Sequence, residues 1–255
     1  MNESLSFMCD KASFAVASIK DDTHSFIAYY DDTMLEAAIK YKTIVDEFDD
    51  AIKAGEFKMY LQPQISAKTR RLTGAEALVR RIKPDGTIIS PIDFIPVYEK
   101  SGLISRLDRY IWEQAAAKLG EWKKAGINMS ISVNISPKDF YYIDIFNTFA
   151  GLIKKYDIEP SNLKIEITET TIMSDVPNLM GELEELRKAG FTLEMDDFGS
   201  GYSSLNTLKD INVDVLKVDM GFIKETKNVK KSRIILASVI KMAKELNLLI
   251  ITCLL

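Results

Sequence analysis

Short apolar runs alternating with longer amphipathic ones constrain this chain more than any other feature. Past Ile127 the apolar runs fall at 128–135, 163–168, 191–196, 213–219 and 248–252, and several of them read as apolar on both faces. Between them lie helical patterns at 143–156, 175–189 and 230–246, and a short one beginning near 202. Gly190 follows the second of these, where a helix stop is expected. Strands buried on both sides and separated by helices predict a mostly parallel sheet covered by helices.

Upstream, FKMYLQPQIS (57–66) and RLTGAEALVRR (71–81) read as two strands joined by a polar turn, with helices at 91–100 and 105–125 after them. That makes seven strands. A (β/α)8 barrel typically takes about 250 residues, whereas 199 run from Phe57 to Leu255, so the expectation is an α/β barrel whose last β/α unit is missing. Residues 33–54 place Leu35, Ala38, Ile39, Val45, Phe48 and Ile52 at helical spacing and predict one amphipathic helix. Residues 1–32 read as one helix and one strand, too little to own a core.

Composition excludes several classes. A net charge of −4 argues against a general nucleic-acid surface, so a phosphate ligand needs cations to offset the protein's own charge. The two cysteines, Cys9 and Cys253, make no disulfide framework and fit a reducing cytosol. No run approaches the roughly 18 apolar residues of a membrane span, and the first residues lack a signal-peptide pattern. The expected location is cytoplasmic, with any anchor of a parent protein lying outside this chain.

Polar residues interrupt the apolar runs at matching places. Glu76 lies in GAEALVR, Asn134 ends SISVN, Glu166 lies in KIEIT, Asp196 and Asp197 end LEMDD, and Lys217 and Asp219 lie in VLKVD. The C-terminal strand ends of an α/β barrel form its active-site mouth. Each residue taken singly has a bland reading: Glu166 could face solvent, and Lys217 could pair with Asp214 or Asp219. Five successive strands shift the balance to a site. Converging buried acids require cations. The only histidine, His24, lies outside the α/β region, and neither cysteine sits in a Cys-x-x-Cys pair. Oxygen donors alone suit Mg²⁺, Mn²⁺ or Ca²⁺. The Asp196–Asp197 doublet fits two ions about 3.5–4 Å apart, the arrangement used in phosphoester hydrolysis, and Gly199 and Gly201 let the following loop adjust.

With these residues assembled, the chain resembles the EAL domain family of cyclic di-GMP phosphodiesterases from roughly Val45 to Ile251. GAEALVR, SPIDFIPVYEKSGLI, SVNIS, KIEITET, MDDFGSGYSSL and LKVDMGFI occur in family order and spacing. The resemblance implies a TIM-type (β/α)8 barrel with an antiparallel first strand and a two-metal site loaded with Mg²⁺ or Mn²⁺. By position, Glu76, Asn134, Glu166 and Asp196 match metal ligands, with Asp197 serving the second metal. Lys217 matches the lysine that contacts the attacking water, Gln62 and Arg80 match substrate-binding positions, and Glu169 matches the glutamate that holds the DDFGSGYSS loop. The implied reaction is hydrolysis of cyclic di-GMP to linear pGpG in bacterial second-messenger signalling. Family members commonly dimerise through the barrel.

Residues 1–32 resemble the closing helix and strand of a GGDEF domain without its signature loop, and 33–54 resemble the helix joining GGDEF to EAL. Two departures stand out. Arg81 follows Arg80 where the family usually has tryptophan, an expected change in the surface near the mouth. Cys253 stands where a required glutamate is expected, and the eighth strand and final helix are missing. The metal ligands favour an active phosphodiesterase; the ending favours a non-catalytic cyclic di-GMP receptor. A metal-dependent barrel lyase would explain the acids but not Gln62 or the motif order.

Overall fold

The computed structural model describes residues 4–19, 26–65, 70–199, 208–209, 211–218 and 229–252. The strands are β1 (Phe57–Ile65), β2 (Leu72–Ile82), β3 (Ile88–Ile89), β4 (Ser130–Ile135), β5 (Leu163–Thr168), β6 (Leu193–Phe198), β7 (Val215–Val218) and β8 (Leu249–Thr252). They form one sheet in the order β1-β2-β4-β5-β6-β7-β8, with β3 paired to the end of β2. β1 runs antiparallel to β2, and every later neighbour along that path is parallel. This is the TIM-type arrangement with a reversed first strand; β1 and β8 form the two ends of the sheet. All seven expected strands are present, and the two-residue β3 is additional.

The strands are not apolar on both faces. Ile131, Val133 and Ile135 of β4, Leu163, Ile165 and Ile167 of β5, and Leu193 and Met195 of β6 are buried in the hydrophobic core. The residues between them are Ser130, Ser132 and Asn134, Lys164 and Glu166, and Glu194 and Asp196, and hydrogen bonds join several of these across strands. Side chains alternate along a strand, so burying one apolar face against helices commits the other to the barrel axis, and here that axis is polar.

The helices are α1 (Leu5–Ser18), α2 (Asp32–Asp46), α3 (Phe48–Lys53), α4 (Pro91–Ser101), α5 (Ile104–Lys124), α6 (Asp139–Tyr142), α7 (Ile145–Tyr156), α8 (Glu169–Ile172), α9 (Leu179–Lys188) and α10 (Val229–Glu245). Local signals set their ends. Asp144 caps α7 by accepting from the Asn147 N–H at 3.0 Å, and Thr168 caps α8 by accepting from the Thr171 N–H at 3.1 Å. Gly102 ends α4 at φ 78°, a conformation that L side chains rarely adopt. Among the described residues no helix is long and apolar enough to cross a membrane.

The single helix expected over 33–54 is broken: α2 ends at Asp46 and α3 starts at Phe48, with Glu47 between. The break turns Phe48 and Ala51 into the barrel core. Phe48 packs edge-on against Tyr98 at 4.9 Å between centroids, and Phe57 and Phe94 complete the cluster. Residues 26–31 carry no strand, so the strand expected in 1–32 is not found among the described residues. The short helix expected near 202 lies outside the described residues.

Candidate active site

Strand register brings the sequence-marked residues together. Asn134 lies beside Glu166 and Thr168 beside Asp196 across parallel pairs, while Gln62 of β1 stands opposite Glu76 of β2. Glu76, Glu166 and Asp196 each offer a carboxylate oxygen, and the three oxygens lie within 4.8 Å of one another. Lys217 Nζ from β7 reaches all three, at 3.0 Å to Glu76 Oε2, 2.7 Å to Glu166 Oε2 and 3.1 Å to Asp196 Oδ2. Asn134 Nδ2 donates to Glu76 Oε1 at 3.5 Å. The alternative partner for Lys217, Asp214, instead pairs with Arg187 at 3.1 Å; Asp219 lies outside the described residues, as do His24 and Cys253.

Charge within this cluster does not balance: three carboxylates face one ammonium. Burial holds Glu166 well above the usual carboxylate range, and the charges of Glu76, Glu194 and Asp196 push the same way while Lys217 opposes them. Burial alone would lower the Lys217 pKa, yet Glu166, Asp196 and Glu76 outweigh it and hold the amine protonated. Among the described residues Glu166 Oε1 is buried with no hydrogen-bond partner, a costly state for a carboxylate oxygen. An all-oxygen set with surplus negative charge and an orphaned oxygen fits a hard divalent cation, which Glu76, Glu166 and Asp196 could hold, with Asn134 beside them.

The remaining expected residues are placed less centrally. Asp197 is exposed, has φ 54° and donates its N–H to Asp196 Oδ1 at 2.9 Å. It does not belong to the three converging carboxylates, although the β6–β7 register is irregular between Met195 and Phe198, and such a bulge re-aims side chains. Glu169 is buried at the first position of α8, one residue after β5. Arg80 lines a cavity of about 300 Å³ beside the cluster, together with Glu99, Asp108, Trp112, Asn134 and Thr168. Its Nη1 donates to the Val79 carbonyl at 2.8 Å. The DDFGSGYSS loop lies outside the described residues from 200 to 207.

Arg81 corrects an expectation. It is not near the mouth surface but 2% exposed. Nη2 donates to Glu47 Oε2 at 2.7 Å and Nε to Glu56 Oε2 at 2.9 Å. Next to Arg80 on a strand, it points to the opposite face.

Asp108 and Asp139 escaped the sequence reading. Asp139 is fully buried, and its Oδ2 accepts from the Ser136 N–H at 2.7 Å. Burial, then the neighbouring Asp139, raise Asp108 well above the usual range, and burial pushes Asp139 up to about 6. The two side chains hydrogen-bond each other, which requires a proton on one of them. A signal existed: Asp108 interrupts the buried stripe Ile104, Leu107, Ile111 and Trp112 of α5.

Comparison with known proteins accords with this geometry. The EAL domain model matches residues 45–252. The signaling protein YkoW of Bacillus subtilis is 32% identical over 241 residues, covering 94% of this chain and 30% of its own length. The bifunctional diguanylate cyclase/cyclic di-GMP phosphodiesterase MucR of Pseudomonas aeruginosa is 29% identical over 241 residues, covering 94% of this chain and 35% of its own. The chain therefore spans about a third of the length of these relatives. The solved PaMucR phosphodiesterase in complex with c-di-GMP superposes with a TM-score of 0.75 at 31% identity, covering 82% of this chain and 85% of that one. From its barrel, its convergent carboxylates and these matches, the chain belongs to the EAL domain family.

Proposed function

We propose that this chain hydrolyses one phosphodiester bond of cyclic di-GMP to give linear pGpG, using Mg²⁺ or Mn²⁺. Glu76, Asn134, Glu166 and Asp196 would hold the cations, with Asp197 contributing to a second ion. The observation that carries this reading is the convergence of Glu76, Glu166 and Asp196 on Lys217 beside the 300 Å³ cavity. When bound, the cations would lower the pKa of water and offset charge on the phosphoryl oxygens. Lys217 Nζ, which reaches Glu76, Glu166 and Asp196, would act as a hydrogen-bond donor to the attacking water or the phosphoryl oxygens. Arg80 suits paired, charge-assisted bonds to phosphate. Gln62 adds a neutral amide opposite Glu76, and Glu169 supports the loop after β6.

The same proposal covers the whole protein. Residues 1–32 would close a GGDEF-type domain and 33–54 would join it to the EAL domain of 55–255, with dimers forming through the barrel. The match to bifunctional MucR over 94% of this chain, reaching beyond the EAL-matched region, supports that order.

The test is pGpG release from cyclic di-GMP with Mn²⁺, with chelator, and with Glu166→Gln. Release that needs both the metal and Glu166 is expected. Tight binding of cyclic di-GMP without any release would replace catalysis with a receptor function.

A further inference from the structure

A second polar set lies one step below the carboxylate cluster, and the chemistry above leaves it unused. Glu194 on β6 is completely buried and stands beside Glu166 in the β5–β6 register. Its Oε2 accepts from Ser132 Oγ at 2.7 Å and its Oε1 from Lys164 Nζ at 2.8 Å. Gln64 Nε2 on β1 donates to Ser132 Oγ at 3.4 Å. The set needs Gly74 on β2, where an added Cβ would come within 2.8 Å of the Ser130 carbonyl oxygen and 3.3 Å of Gln64 Oε1.

The placement repeats along the strands. Ser132 precedes Asn134 by two residues, Lys164 precedes Glu166, and Glu194 precedes Asp196. Residues two apart share a strand face, so each member lies directly beneath a residue assigned to the cation. A buried Lys–Glu pair is weak evidence for stability, because apolar residues fill such a layer with a smaller desolvation cost. What apolar residues cannot supply is direction. By using both carboxylate oxygens, Glu194 ties β6 to β4 and to β5 at once. Lys164 offsets part of the Glu194 charge beneath the cluster.

We infer that Glu194, with Lys164 and Ser132, is a positioning residue: it sets the spacing of Asn134, Glu166 and Asp196 so that they can hold a divalent cation. This rests on the cation site proposed above. The role is geometric, and the isosteric amide should preserve it. In Glu194→Gln the amide oxygen accepts from Lys164 while its nitrogen donates to Ser132.

The experiment titrates purified full chains with Mn²⁺, reading free Mn²⁺ by electron paramagnetic resonance and the melting temperature of each metal-free sample. The combined variant Glu194→Leu/Lys164→Met should melt close to wild type yet bind Mn²⁺ at least tenfold more weakly, and Glu194→Gln should stay within threefold of wild type. If the double variant does not fold, Ser132→Ala carries the test, with at least threefold weaker binding expected. Wild-type Mn²⁺ affinity in the folded double variant, or in Ser132→Ala when that replaces it, would overturn the positioning role. Equal weakening in Glu194→Gln and the double variant would replace it with a charge effect. Glu166→Gln separates the two levels. If Mn²⁺ binding survives that change, the cation site is misassigned and the positioning role falls with it; if Glu166→Gln abolishes binding, the variants above decide the role alone.

Discussion

Glu76, Glu166 and Asp196 converge on the ammonium of Lys217, whereas Asp108, which lines the neighbouring cavity, and Asp139 converge on each other. Both groups bury carboxylates, and burial raises the pKa of Glu166, Asp108 and Asp139 alike. They differ in what neutralises them. The first has a fixed cation and surplus charge that a metal can take up. In the second, burial and the negative charges of the pair and of Glu99 raise the carboxyls, so a proton fills the role. The environment, and not the residue type, decides whether a buried acid can ligate a metal or only hold a proton.

The comparison breaks most sharply at Lys217. Lys217→Met should lower kcat for pGpG release by about 10²–10³-fold at saturating Mn²⁺, the usual cost of losing one charge-stabilising donor. Unchanged kcat would show that the ammonium only balances charge. Next in size is the response to metal. At about 100 times its Kd, Mn²⁺ should stabilise the fold by roughly 2.7 kcal/mol, raising Tm by several degrees. Asp196→Asn should remove most of that rise, while Asp139→Asn should keep it. Loss of the rise in both would mean that the two acid groups are not independent.

The smallest effect sharpens the second group. Asp139 keeps its proton up to about 6 when folded but only to about 3.9 when unfolded. The folded state therefore binds this proton more tightly, and its stability contribution is full below pH 4 and lost as pH rises toward 6. Asp139→Asn escapes that loss, because an amide can donate to Asp108 while still accepting from the Ser136 N–H. Relative to wild type it should gain on the order of 2 kcal/mol between pH 4 and pH 7, measured by urea unfolding. Parallel stability curves would rule out the shared proton.

These two groups were not equally visible in the sequence. Glu76, Asn134, Glu166, Asp196 and Lys217 each interrupt or end an apolar run, and periodicity exposes such interruptions. Asp108 and Asp139 sit on different helices, α5 and α6, and nothing local announces that they meet. Ser132, Lys164 and Glu194 were hidden for another reason. Polar residues alternating with apolar ones normally face water, and only the curling of the sheet turns that face toward the barrel axis. Asp197, next to Asp196 in sequence, is exposed and lies outside the three converging carboxylates, a separation that the doublet alone does not reveal. Arg81 could have been read correctly, since alternation alone places it opposite Arg80.

Arg81 also determines where this fold can be cut. Its two acids come from Glu47, between α2 and α3, and from Glu56, just ahead of β1. A recombinant barrel started at Phe57 would leave a guanidinium beside the Phe57 ring stripped of both counter-charges. It would also remove Phe48 from the aromatic cluster. The segment from Glu47 to Glu56 is thus no detachable tether: α3 should fold and melt with the barrel, and its amides should exchange with solvent as slowly as those of β2. Any shortened version that is to stay soluble and cooperative must begin upstream of Glu47.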